Sequence, residues 1–273
     1  MNTREEKLQA FGRLLDVLDE LRVKCPWDRK QTNESLRPNT IEETYELCDA
    51  LMKHDDANIC KELGDVLLHV CFYAKIGSEH GAFDMADVCN HLCDKLIFRH
   101  PHVFPPEGQA QADVNTAQAV SEQWELLKQK EKDGNKTVLS GVPEALPALI
   151  KAYRIQDKAR NVGFDWEDRT QVWDKVKEEI SEFEVEAMQG NQDDMEKEFG
   201  DVMFSLINAA RLYKINPENA LEKTNRKFIR RFNYLEAHTH KQGRQLTDMS
   251  LAEMDEIWNE AKKAERAEEA GNQ

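Results

Sequence analysis

Residues 41–77, IEETYELCDALMKHDDANICKELGDVLLHVCFYAKIG, and residues 176–213, VKEEISEFEVEAMQGNQDDMEKEFGDVMFSLINAARLY, are two versions of one pattern. Five acids align at a single offset of 136 residues: Glu42, Glu43, Glu46, Glu62 and Asp65 with Glu178, Glu179, Glu182, Glu198 and Asp201. Apolar residues keep that offset, with Leu63, Val66, Leu67, Val70, Cys71 and Ala74 matching Phe199, Val202, Met203, Leu206, Ile207 and Ala210. Their spacing, alternating between three residues and one, follows one face of an α-helix and predicts a core stripe. In the second copy the polar stretch AMQGNQDD (187–194) ends one helix and starts the next, so two antiparallel helices face each other.

The echo extends on both sides. Arg4 to Val23 places Leu8, Phe11, Leu14, Leu15, Leu18 and Leu21 at helical spacing, and LPALIKAYRIQDKAR (146–160) opens the second copy in the same way. Downstream, CDKLIFRH (93–100) pairs with NRKFIRRF (225–232), and EQWELLK (122–128) with EIWNEAK (256–262). No convincing period-two run interrupts these helices. The expected fold is all-α, two tandem helical-bundle domains at 1–131 and 146–273 with a linker at 132–145. That linker falls in the Gly- and Pro-containing stretch KEKDGNKTVLSGVPEALP (130–147). A second loop is expected at PPEGQAQADVNTAQA (105–119), and His238 and His240 read as solvated loop residues.

Composition narrows the function classes. The 273 residues carry 37 Lys and Arg against 52 Asp and Glu, a net charge of −15. Such a field repels nucleic acid and anionic membranes, and a nucleotide would need cations and a local basic cluster. No apolar run approaches the roughly 20 residues of a membrane span. The start, MNTREEKLQAFGRLLD, lacks the apolar core of a signal peptide, and six Cys without a CxxC pair read as reduced thiols. The expected location is cytoplasmic.

Residues three and four apart share a helix face. Glu179 with Glu182, and Glu198 with Asp201, therefore project as pairs from two facing helices, with Glu178 at the edge. Carboxylates at that density raise one another's pKa, and a hard divalent cation, Mg²⁺ or Mn²⁺, relieves the repulsion through oxygen ligands. Glu43, Glu46, Glu62 and Asp65 form a second, weaker set. A di-iron bundle would need Glu-x-x-His, which the chain lacks, and there is no GxxxxGK[ST] loop. The complementary signal is ALEKTNRKFIRRF (220–232), where Lys223, Lys227, Arg230 and Arg231 share a helix face suited to phosphate oxygens.

The duplicated EExxE followed by ExxD resembles the MazG family of nucleoside triphosphate pyrophosphohydrolases in its tandem form. CPWD (25–28), KLIFRHPHVF (95–104), NVGFDW (161–166), Trp124 and Trp258 carry the same resemblance. It implies Mg²⁺-dependent hydrolysis of nucleoside triphosphates to monophosphate and pyrophosphate by a homodimer. It implies Glu179, Glu182, Glu198 and Asp201 as metal ligands. Lys227, Arg230 and Arg231 would hold the triphosphate, with Trp258, Lys175 and Glu178 beside the nucleotide. Glu178 or Glu182 is expected to orient the attacking water. Where the second half has Arg226, Arg230 and Phe232, the first has Asp94, Phe98 and His100, so the second half is expected to dominate turnover. The competing reading is a helical scaffold or nucleotide-binding regulatory module with decayed acidic sites.

Overall fold

The computed structural model describes residues 1–106, 108, 116, 119–120, 123–124, 127, 137–166 and 168–271. Among the described residues it forms nine α-helices and two short 3-10 turns, with no strand. The chain divides into two compact units, Met1–Leu127 and Lys128–Gln273. The loop expected at 105–119 and the helix expected at 122–128 fall mainly outside the described residues.

The first unit contains α1 (Arg4–Lys24), α2 (Asn33–Lys53), α3 (Asp56–Glu79) and α4 (Met85–Arg99). Capping side chains start each of them. Thr3 and Glu6 form a reciprocal box at α1, Thr32 and Ser35 do so at α2, Asp55 caps α3, and Asp84 caps α4 with Asp87. Helix α2 begins two turns before the acidic motif and runs through Pro38. It ends at His54, which adopts the left-handed conformation (φ 54°). Leu18, Leu36, Cys71, Phe72 and Ile76 form the core, wrapped by Phe11, Leu14, Leu15, Leu68, Tyr73 and Met85. At Gly77 a Cβ would stand 2.8 Å from the Phe83 ring, so the absence of a side chain lets the α3–α4 connection fold back.

The second unit contains α5 (Ala148–Arg160), α6 (Gln171–Gln189), α7 (Gln192–Leu212), α8 (Pro217–Lys241) and α9 (Leu251–Gly271). Helix α6 stops at Gly190, left-handed at φ 76°, and the chain reverses directly into α7. Val172, Val176 and Ala209 pack with Leu212 between those helices. Helix α8 continues well past Phe232, so His238 and His240 lie in its last turns rather than in a loop. Their place follows from α8 packing along α9.

Different arginines pin the tryptophan-bearing turn in the two units. In the first, Arg22 forks onto Glu79 (2.7 and 2.8 Å) and donates to the carbonyls of Asp28 and Gln31. In the second, Arg211 on α7 forks onto Asp165 of the GFDW turn. Burial works to raise the Asp165 pKa, but the Arg211 guanidinium holds the carboxyl below its ordinary value.

The apolar stripe read from the sequence is split by the fold. Cys71 and Ala74 are buried, as is Ile207, whereas Leu63, Leu67 and Val70 are exposed, as are their counterparts Phe199, Met203 and Leu206. These three positions in each unit are left uncovered by their own helices. No helix among the described residues is long and apolar enough to cross a membrane.

Candidate functional site

In the second unit the acids meet between α6 and α7. Glu179, Glu182 and Glu198 each offer a carboxylate oxygen, and the three atoms lie within 4.8 Å of one another. Glu179 is buried, Glu198 half-buried and Glu182 exposed. Asp201, the fourth acid of the expected set, is exposed and stays outside this close group. It remains near enough to act on the cluster. The Glu198 pKa is raised by partial loss of solvent first, then by Glu182, Asp201 and Glu179. A cleft of about 260 Å³ opens here, lined by Ser181, Glu182, Val185, Glu186 and Glu198.

Lys175, one turn before Glu179 on α6, reaches both Glu178 (2.9 Å) and Glu179 (2.8 Å). These two carboxylates drive its pKa upward, so the ammonium stays charged. Glu178 lies at the edge of the site with its side chain largely in solvent.

The first unit forms a parallel cluster from Glu43, Glu62 and Asp65, again with oxygens within 4.8 Å, and here exposed Glu46 is the acid left out. The sunken member is Glu62, 1% exposed. Lys61 pairs with one of its oxygens (2.9 Å), and the other, Oε2, is buried with no hydrogen-bond partner. An ionised oxygen in that position is costly unless a cation meets it. Burial, then Asp65, Glu46 and Glu62, raises the Glu43 pKa. In both units hard oxygen donors converge at ligand-sharing distance, a donor set that fits Mg²⁺ or Mn²⁺.

Helix α8 carries Lys227, Arg230 and Arg231, and α9 carries Trp258. Trp258 packs on Phe228 (ring centroids 5.0 Å apart), and the Arg231 guanidinium lies 5.9 Å from its ring centre. Arg230 and Arg231 both bond Glu265 of α9. Lys227 is exposed.

Some polar groups gave no signal in the sequence. Ser181 and Glu186 line the cleft; Glu186, four residues after Glu182, shares its helix face, while Ser181 only adjoins it in sequence. Buried Gln156 donates from Nε2 to the Phe204 carbonyl (2.8 Å), while its Oε1 is unpartnered. In the first unit Thr40 Oγ1 meets His69 Nδ1 (2.7 Å) and the Tyr73 hydroxyl (2.6 Å). Equivalent positions in the second half are Val176, Ser205 and Ala209, so repeat comparison would have marked this network as specific to the first half.

A family model described as the MazG nucleotide pyrophosphohydrolase domain matches residues 31–104 and 168–235. The chain is 40% identical over 265 residues to a nucleoside triphosphate pyrophosphohydrolase of Escherichia coli K12, covering 94% of this chain and 99% of that protein. It is 42% identical over 255 residues to the nucleoside triphosphate pyrophosphohydrolase/pyrophosphatase MazG of Thermotoga maritima, covering 92% and 95%. It is 45% identical over 269 residues to the uncharacterized protein YabN of Bacillus subtilis, covering 96% of this chain and 54% of that one. The two family segments span the two acidic hairpins, and the likeness to the first two relatives runs nearly end to end in both partners. The chain belongs to the MazG nucleotide pyrophosphohydrolase family.

Proposed function

We propose that this chain hydrolyses nucleoside triphosphates to nucleoside monophosphate and pyrophosphate, principally at the α6–α7 site of its second half. The observation that carries the reading is the meeting of Glu179, Glu182 and Glu198 oxygens within 4.8 Å in a chain of this family. Water attacks the α-phosphorus, the bond to the bridging oxygen breaks, and pyrophosphate leaves with the electron pair. Such chemistry needs alignment and charge neutralisation more than covalent help.

Glu179, Glu182, Glu198 and Asp201 would hold Mg²⁺ or Mn²⁺, which when bound supplies Lewis-acid polarisation of phosphate oxygen and a more acidic water. The chain's own groups do the rest. Glu182 is exposed on the cleft and suited to accept a proton from the attacking water. Glu178 is the weaker choice, since Lys175 already engages it. Lys175 sets the orientation of Glu179 and Glu178 and presents positive charge at the cleft edge. Lys227, Arg230 and Arg231 grip the β- and γ-phosphates, and Trp258 flanks the nucleoside.

The domains are taken as 1–131 and 146–273 with 132–145 between them. The exposed apolar rows Leu63–Leu67–Val70 and Phe199–Met203–Leu206 support a homodimer that covers them. Cytoplasmic nucleotide pools would supply the substrate, and neither nucleic acid nor membrane is a partner. The test is pyrophosphate release from ATP, GTP, CTP, UTP and their deoxy forms with Mg²⁺, with and without EDTA. Release that EDTA abolishes supports the reading; folded protein that releases none from any substrate returns the chain to a scaffold or regulatory module.

A further inference from the structure

Two guanidiniums of the basic helix share a single carboxylate from the last helix. Glu265 accepts the Arg230 Nε–H on Oε1 (3.2 Å) and the Arg231 Nε–H on Oε2 (2.8 Å). Trp258 and Glu265 lie seven residues apart on α9, so they share the face turned to α8. Arg231 is therefore held twice, by its inner edge on Glu265 and by its face near the Trp258 ring. Its side chain is 15% exposed and that of Glu265 19%, whereas Arg230 is 60% exposed.

The contact uses only the Nε groups. Among the described residues neither arginine gives an Nη group to a protein acceptor, and each Nη pair is the outer fork that matches phosphate oxygens. A free arginine samples many rotamers; one fixed at Nε keeps its fork in one plane. Burial disfavours ionising Glu265, but the two guanidiniums override it and hold its pKa below the ordinary carboxylate value. The carboxylate thus stays charged through the neutral range and remains a brace.

We propose that Glu265 is a positioning residue for triphosphate binding, holding Arg230 and Arg231 by their inner edges so that both outer forks face the phosphates. The proposal rests on the basic helix binding substrate, as read above. It assigns α9 a part in binding beyond the tryptophan.

The full-length chain tests it, as wild type and as Glu265→Gln, Glu265→Asp and Arg231→Ala. Readouts are steady-state kinetics with ATP and Mg²⁺, inhibition by inorganic tripolyphosphate, Mn²⁺ binding and thermal melting. Glu265→Gln should raise KM and the tripolyphosphate inhibition constant together, by about fivefold to tenfold, a tenfold change being about 1.4 kcal/mol. In that variant kcat should change by less than about twofold, while Mn²⁺ binding at the acidic cluster stays as in wild type. Glu265→Asp, which keeps the charge, should recover part of the lost affinity. If Arg231→Ala weakens both constants and Glu265→Gln weakens neither, the positioning role is wrong and the basic-helix reading stands. If Arg231→Ala also changes neither, that reading fails first. A fall in KM for Glu265→Gln would overturn the proposal in the other direction, because Glu265 would then be competing with substrate for the arginines.

Discussion

The two acidic clusters align residue for residue, yet each submerges a different carboxylate. In the first unit the buried acid is Glu62 on the second acidic helix; in the second it is Glu179 on the first. The close trio changes with it, from Glu43, Glu62 and Asp65 to Glu179, Glu182 and Glu198. The neutralising lysines differ too. Lys61 sits beside Glu62, while its repeat counterpart Lys197 bonds Asp194 instead (2.7 Å). Lys175 reaches Glu178 and Glu179, and Asn39 stands at the matching place in the first half. Duplication has preserved the acids and changed the field around them. A carboxylate motif thus specifies which oxygen donors come together, and its neighbours specify which of them are paired with a lysine.

Silencing each half in turn should give the largest difference between them. Glu179→Ala with Glu182→Ala should lower pyrophosphate release by about 10²–10³-fold or more, the scale of losing charge stabilisation at a phosphoryl centre. Glu43→Ala with Glu46→Ala should lower it by less than about threefold, roughly 0.7 kcal/mol. Initial rates on purified variants decide it, and the opposite ranking would move the working site to the first half.

The next comparison concerns the lysine. Converting Lys175→Asn makes the second cluster resemble the first at that position. KM for ATP should rise about tenfold, or 1.4 kcal/mol. An unchanged KM would remove Lys175 from the substrate's surroundings and leave it as a partner of Glu179 alone.

Metal removal separates binding from turnover. A divalent cation at about a hundred times its dissociation constant stabilises a folded unit by roughly 2.7 kcal/mol. Calorimetric melting with Mn²⁺ or with EDTA should therefore shift the wild-type transition upward with metal. Part of that shift should survive Glu179→Ala/Glu182→Ala, because the Glu43–Glu62–Asp65 cluster, with its unpartnered Glu62 oxygen, remains. Complete loss of the shift would mean that the first cluster binds no cation.

The smallest expected effect is in the pH dependence of the metal-free chain. Glu43 and Glu198 both have raised pKa values. The folded state then holds their protons at pH values where the unfolded chain has released them, so each contributes a loss of stability as pH rises through the window above 4.5. Glu43→Gln and Glu198→Gln should each flatten that decline slightly and raise the melting temperature at pH 7 without metal. A steeper decline in either variant would contradict the sign.

Much of the molecule was legible in the linear chain because its information is local and repeated. The 136-residue offset and the helical spacing of the apolar stripe marked the repeated helices, and the AMQGNQDD turn with its Gly190 was enough to derive an antiparallel pair in the second half. The convergence of Glu179, Glu182 and Glu198 followed from residues sharing faces three and four apart. Other features depended on partners distant in sequence. Nothing near Leu63, Leu67 or Val70 marks them as exposed, since an apolar helix position looks the same whether its own unit or something else covers it. Nothing near Asp201 places it outside the close trio, because a few degrees of helix rotation decide which acid of an ExxD pair turns inward. Glu265 was invisible for the same reason: it is one acid among several in α9 until α8 is packed beside it.

The order of residues alone determined an all-helical duplicated chain, where its acids and bases concentrate, and which chemistry those side chains support. These follow from hydrogen bonding and periodicity within one helix. Only the packing of helices decided which carboxylate in each cluster loses its water, which lysine neutralises it, and which arginines are braced by Glu265. Desolvation and charge pairing depend on distances between helices, and those distances are properties of the assembled bundle.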